Sequence, residues 1–331
     1  GRAVRGRRAG RMRRGSALLV ALGLALAACD GGDAEAPAAA ADLTVSASPS
    51  VIPDPSPGSS PSPDAANEGS EPEASALPEP EARIPRGVRA LAAELEATAL
   101  ARRVAVRDWI RSGATGEWPP PPEVELLVLH EQRIYRVLAA YDRLARRILG
   151  RVPARLRAEV RANVSAGAAL HDHFEPVDEL PDFETRRPEP ADALLGYFRA
   201  AEERFGVGWE YLAAVMLIET RMGRIASSSS AGAQGPMQFL PSTWVAYGLG
   251  GDIRAERDAV IGAANYLSAS GAPGDYRQAL YHYNPVDAYV KAVTRYAKAM
   301  ERDREAFYAY YNWQVFVRTT DGDVRLTGPS L

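Results

Sequence analysis

The stretch LAAVMLIETRMGRIASSSSAGAQGPMQFL, residues 212–240, decides how the rest of the chain is read. At helical spacing Leu212, Val215, Met216 and Glu219 fall on one stripe, so a carboxylate stands on an otherwise apolar face. Gly223 is placed to end this helix. Glu219 then sits in the last turn, where the negative end of the helix dipole opposes a second negative charge. Loss of water and the dipole both raise a carboxyl pKa, and a carboxyl group still protonated near neutrality is equipped to act as a general acid. The plainer alternative turns Glu219 outward into an ion pair with Arg221 or Arg224, and the helix alone does not choose between the two. Beyond the helix, the serines at 227–230 with Gly232, Gly235 and Pro236 cannot continue it, so a small-residue loop brings Gln238 back.

Three ordered motifs follow: a helix ending in Glu219-Thr220, a loop of Gly232-x-x-Gly235-Pro236-Met237-Gln238-Phe239, and the run ALYHYN at residues 279–284. This order resembles the soluble lytic transglycosylases of the goose-type lysozyme superfamily, which carry a Glu-Ser pair, a Gly-Leu-Met-Gln-like loop and an Ala-Tyr-Asn motif. The resemblance covers about residues 191–304, and Pro236-Met237-Gln238-Phe239 with the later Tyr289 is most similar to the membrane-bound B-type branch.

The resemblance implies that Glu219 protonates the oxygen linking N-acetylmuramic acid to N-acetylglucosamine and then, as carboxylate, takes the proton of the muramoyl C6 hydroxyl. A 1,6-anhydro end would result. It implies substrate-binding roles for Gln238, Ser229, Met237, Tyr283, Asn284 and Tyr289. It implies no cofactor and no metal. Two positions depart from the pattern: Thr220 stands for the usual serine, and His282 for the alanine before Tyr283-Asn284. For Met237 and Thr220 taken alone, ordinary packing is the simpler reading, as it is for Trp244 and Tyr247. The amides of Gln238 and Asn284, set among apolar neighbours, need polar partners. Asp252, Asp275 and Asp287 remain available as a second carboxylate, which most glycosidases use. A hydrolytic goose-type muramidase and a catalytically silent wall-binding lipoprotein are the competing functions.

Charge is segregated along the chain. Residues 1–28 hold seven arginines and no acid, and residues 30–82 hold eleven acids and no base, which leaves the remainder close to neutral despite a formal net charge of -3. Nothing in that balance points to nucleic acid. The arginine-rich start, an apolar run at 17–28 and Leu26-Ala27-Ala28-Cys29 form a secretory layout resembling the bacterial lipobox, and Met12 is an expected start of translation. Cys29 is the only cysteine, and its place after the apolar run makes it the expected lipidation site. The protein is therefore expected to be exported, anchored in a bacterial membrane, monomeric, and directed at peptidoglycan glycan strands. Residues 29–83, built from Ala, Pro, Ser and acids, read as a disordered tether that cannot offset its own folding entropy.

The expected fold is all-α: a lysozyme-like catalytic domain at 191–313, a helical accessory region at 84–180 before it, and a small C-terminal hairpin and tail at 314–331. Leu91, Leu95, Leu100, Val104 and Ile110 predict one helix that Gly113 ends, residues 123–149 a second, and 153–170 a third. His171-Asp172-His173 reads as a loop with no second ligand cluster near it, so no metal is expected there. In the catalytic region Asp192 is the expected helix cap, as is Ser242 or Thr243 for a short helix. One long helix is expected from 286 to about 310, and Asp321-Gly322 is the expected hairpin turn.

Overall fold

The computed structural model describes residues 76–329; the expected leader, Cys29 and most of the tether lie outside the described residues. Eleven α-helices are described: α1 (Val88–Ser112), α2 (Pro122–Ala140), α3 (Asp142–Leu149), α4 (Ala154–His173), α5 (Ala191–Phe205), α6 (Trp209–Thr220), α7 (Pro241–Tyr247), α8 (Glu256–Ala269), α9 (Tyr276–Tyr283), α10 (Asp287–Arg302) and α11 (Glu305–Tyr311). A two-stranded antiparallel hairpin, β1 (Phe316–Thr319) and β2 (Gly322–Arg325), closes the described chain and pairs Phe316 with Arg325.

Several helix ends follow their residue chemistry. Gly113 ends α1 at φ 75°, and the Asp275 side chain accepts the Gln278 N–H at 2.9 Å to start α9. Other ends depart from the sequence expectation. The helix expected at 123–149 breaks at Tyr141, whose extended backbone (φ −126°, ψ 82°) separates α2 from α3 without a Pro or Gly to announce it. The helix expected to run from 286 to about 310 stops at Arg302. Asp303 leaves helical geometry there and its carboxylate accepts the Glu305 N–H at 3.0 Å, restarting the chain as α11. His171-Asp172-His173 is the last turn of α4, not a loop. Asp192 lies inside α5, after a cap at Pro190, because its carboxylate is taken by the hydroxyls of Thr115 at 2.5 Å and Tyr308 at 3.1 Å. Leu240, followed by Pro241, occupies the cap position of α7.

Helix α6 sits at the centre. Every residue from Tyr211 to Thr220 is buried, so it is apolar on all faces and not amphipathic; such a helix is stable only when surrounded. Helices α5, α8, α10 and α11 pack around it. Helix α10 in turn packs against α4 of the N-terminal helices, and one hydrophobic core runs from Leu91 through Leu212 to Trp313. Polar links cross the same junction: Tyr310 donates to Asn163 Oδ1 at 2.8 Å, and Gln132 and the Gln314 backbone exchange two hydrogen bonds of 2.9 Å. The hairpin is tied back to α2 by Arg136, which reaches Asp323 at 2.6 Å and lies 4.3 Å over the Phe316 ring.

Candidate active site

Helix α6 ends abruptly. Arg221 (φ 52°), Met222 (φ 60°) and Gly223 (φ 83°) are three consecutive left-handed residues, two of them bearing side chains that disfavour this conformation. Thr220 holds the turn: its hydroxyl donates to the Pro236 carbonyl at 2.7 Å and accepts the Gly223 N–H at 3.1 Å. The helix end and the 232–239 loop are thereby fixed to each other. Gly235 is needed in that loop, at φ 74°, because a Cβ there would run into the Ile253 carbonyl.

Glu219 sits in the last turn of α6 and is fully buried. The expected alternative, outward rotation toward an arginine, is not what the fold adopts. Oε1 accepts the Tyr289 hydroxyl at 2.8 Å, while Oε2 has no hydrogen-bond partner among the described residues. Burial raises the Glu219 pKa well above its ordinary value, and the Tyr289 hydrogen bond pulls it back only in part. Burial therefore favours the neutral form of the carboxyl. Tyr289 and Tyr283 are buried with parallel rings 6.5 Å apart, and burial first, then the nearby Glu219 carboxyl, raises both phenols well above 10, so both remain hydroxyl donors.

Gln238 is also fully buried and adopts a left-handed backbone at φ 48°. Its main-chain N–H and its Nε2 both donate to the Gly235 carbonyl at 3.0 Å, so the strain is held by its own loop and the amide oxygen points elsewhere. Tyr283 donates to the Met237 carbonyl at 2.6 Å and so ties the end of α9 to the same loop. Asn284, the residue after α9, is 2% exposed. Three buried polar atoms in this neighbourhood lack partners among the described residues: Glu219 Oε2, Gln238 Oε1 and Asn284 Nδ2. Native interiors satisfy nearly all such groups, and here a proton donor, an acceptor and an amide donor all remain open.

The other expected site residues are placed as follows. The Met237 side chain is core, and the site uses its carbonyl. The Ser229 hydroxyl accepts the Ala233 N–H at 2.9 Å and thus shapes the loop. Trp244 packs edge-on against Phe239 and donates to the Gly251 carbonyl at 3.2 Å; Tyr247 lies against Tyr266. The positioning part played by Thr220 was not legible as such. The nearest signal was a hydroxyl retained at the helix end just before a Gly/Pro loop.

No curated protein and no solved structure matches the chain at a significant level. Residues 196–306 match the family described as the Transglycosylase SLT domain. Every candidate site residue among the described ones falls inside that match, which spans about a third of the chain and supports the lytic transglycosylase and lysozyme-like superfamily for this part of it.

Proposed function

We propose that this protein cleaves the β-1,4 bond between N-acetylmuramic acid and N-acetylglucosamine with Glu219 as its single acid and then base. The observation that carries the reading is Glu219 Oε2, buried and, among the described residues, unpartnered, on a carboxyl whose pKa burial raises. Because Oε1 receives the Tyr289 hydroxyl, the carboxyl proton belongs on Oε2. Oε2–H protonates the bridging oxygen, the glycosidic bond breaks and the N-acetylglucosamine end departs with that proton. The muramoyl C6 hydroxyl attacks the anomeric carbon, and the carboxylate takes its proton. A 1,6-anhydro end forms and no water is consumed. While Glu219 is charged, the Tyr289 hydroxyl stabilises it. Gln238 Oε1 and Asn284 Nδ2, one acceptor and one donor, match the N–H and C=O of a sugar acetamido group.

The acids that could have served as a second carboxylate are engaged elsewhere. Asp275 caps α9, Asp252 accepts the Arg254 N–H at 2.8 Å, and Asp287 pairs with Arg277 at 3.1 Å on the surface. This favours the one-carboxyl mechanism over a hydrolase that positions a water between two acids. The Pro236-Met237-Gln238-Phe239 loop and Tyr289 support the B-type branch. The sequence around Cys29 supports export and lipid anchoring of a monomer to the bacterial membrane through a tether, facing the cell wall.

Mass spectrometry of digested peptidoglycan tests the reading. Anhydro ends, one water lighter than reducing ends, are expected; reducing ends alone would assign a goose-type muramidase instead. Equal loss of wall turbidity with the native chain and with Glu219→Gln, or none with either, would assign a silent wall-binding lipoprotein. Cys29→Ser is expected to abolish incorporation of radiolabelled lipid, and label persisting on that variant would reject the anchor.

A further inference from the structure

Behind the helix end that carries Glu219 lies a second polar hollow. The strap at 184–186 runs antiparallel to 224–226: Arg186 N–H donates to the Arg224 carbonyl at 2.9 Å and Ala226 N–H to the Glu184 carbonyl at 2.8 Å. Ile225 N–H donates to the Thr220 carbonyl at 3.1 Å, so the strap is fastened to the last residue of α6. A cavity of about 300 Å³ opens beside it, bounded among others by Trp118, Glu125, Thr185, Arg187 and Arg224.

Two guanidiniums in this cavity lack acids. Arg224 is only 2% exposed. Among the described residues its one hydrogen bond runs from Nη1 to the Arg221 carbonyl at 3.2 Å, and its flat face lies 5.2 Å over Tyr311. A guanidinium has five N–H donors, so most of them are left for something else. Burial pushes its pKa down to about 10, the mark of a desolvated cation whose compensation is incomplete. Glu125 acts on it through space but makes no ion pair with it among the described residues, and burial raises the Glu125 pKa. Arg187 lies 5.0 Å over the Trp118 ring and likewise has no ion pair among the described residues. Arg186 is spent: it bonds the Gly223 carbonyl at 3.0 Å and pairs with Glu256. The cavity therefore holds two open guanidiniums against one carboxyl. A buried, under-bonded guanidinium is costly unless an anion joins it, and its planar fork fits a carboxylate.

We infer that Arg224 and Arg187 form a carboxylate subsite that recognises the peptide carried by the glycan strand, so that the enzyme reads the stem as well as the sugar. The inference rests on the peptidoglycan reading above, since the cleaved sugars place their carboxylates on the attached peptide. Two measurements separate it from that reading. First, kcat/KM is compared on peptide-bearing strands and on the same strands stripped of peptide. Arg187→Ala, an exposed change, and Arg224→Gln are each expected to lower the ratio of the two values about 10-fold, the scale of one lost charge-assisted bond. An unchanged ratio overturns the inference. Second, a free stem peptide is titrated calorimetrically against the Glu219→Gln chain. It is expected to bind, and the same peptide with its carboxylates amidated is expected to bind at least about 10-fold more weakly. Equal binding of the two forms, or none of either, overturns the subsite. If the native chain cuts neither substrate but the carboxylate dependence of binding persists, the catalytic reading has failed and the subsite stands.

Discussion

Replacing Glu219 by Gln is expected to move activity and stability in opposite directions, and the pH dependence of the second effect tests the first. In the fold Glu219 is buried and its pKa lies well above the ordinary value of 4.5. Unfolded, it would titrate near that ordinary value. Between the two pKa values the native state holds a proton that the unfolded chain has released. Stability then falls as pH rises, by about 1.4 kcal/mol per pH unit. The contribution of the neutral acid is fully present below about 4.5 and is lost as pH rises through the folded pKa. The amide that replaces the carboxyl in Glu219→Gln would not titrate, and its carbonyl can still accept the Tyr289 hydroxyl. The gain of the variant over the native chain should therefore grow between pH 5 and pH 7, with a slope no steeper than about 1.4 kcal/mol per pH unit. Other groups cancel in the comparison, since Tyr283 and Tyr289 keep their protons throughout this range. Wall-clearing activity should meanwhile fall by about 100- to 10,000-fold, the usual worth of a general acid. Urea denaturation of both chains at several pH values measures the first effect and turbidity the second. A stability difference that stays flat between pH 5 and pH 7 would mean that Glu219 is charged in the fold. The proton assigned to Oε2 would then not exist.

Three further outcomes are expected. Tyr289→Phe removes the hydrogen bond that lowers the Glu219 pKa, so the fall of kcat/KM at high pH should move upward, by about 1 pH unit or less, while kcat drops about 10-fold; an unmoved limb would uncouple the two residues. Thr220→Val loses the bond that fastens α6 to the 232–239 loop and the one that holds the Gly223 N–H at the helix end, and should cost about 1–3 kcal/mol in urea unfolding, whereas Thr220→Ser should retain most of that. A chain trimmed to residues 191–329 exposes the apolar flank of α10 that α4 covers, and should show no cooperative thermal transition by circular dichroism; a sharp transition would show that the catalytic helices are self-sufficient.

What the sequence disclosed was local. The Glu219 helix, the stop of α1 at Gly113 and the presence of the C-terminal hairpin are set by residues within a few positions of each other, although the register places the hairpin turn at residues 320–321, one position before the expected Asp321-Gly322. What it concealed was settled by distant partners. Asp192 has the chemistry of a cap, yet Thr115 and Tyr308 claim its carboxylate from 77 and 116 positions away. Tyr141 and Asp303 interrupt helices that periodicity alone would continue. The choice between an outward and an inward Glu219 was open for the same reason. It turns on Tyr289, 70 positions further on, and on the left-handed run at 221–223 that no local propensity favours. Arg224 gave no signal: an arginine in a loop reads as solvated until its burial is known.

Under the proposed mechanism, the placement of Tyr289 gives the N-terminal helices a part in the chemistry. Helix α10 carries Tyr289 and touches, besides α11, the helix α6, which bears Glu219; α9, which ends in Tyr283 just before Asn284; and α4, which belongs to the region before the SLT match. The 2.8 Å bond between Tyr289 and Glu219 therefore depends on how α10 is seated, and α4 forms much of that seat. A shift of α10 by a fraction of an ångström would lengthen that bond while leaving α6 and its loop intact, because Thr220 fixes those two to each other independently. The N-terminal helices thus need not touch substrate to matter. By holding α10 they hold the one hydrogen bond that distinguishes Oε1 from Oε2, on which the proposed placement of the Glu219 proton rests.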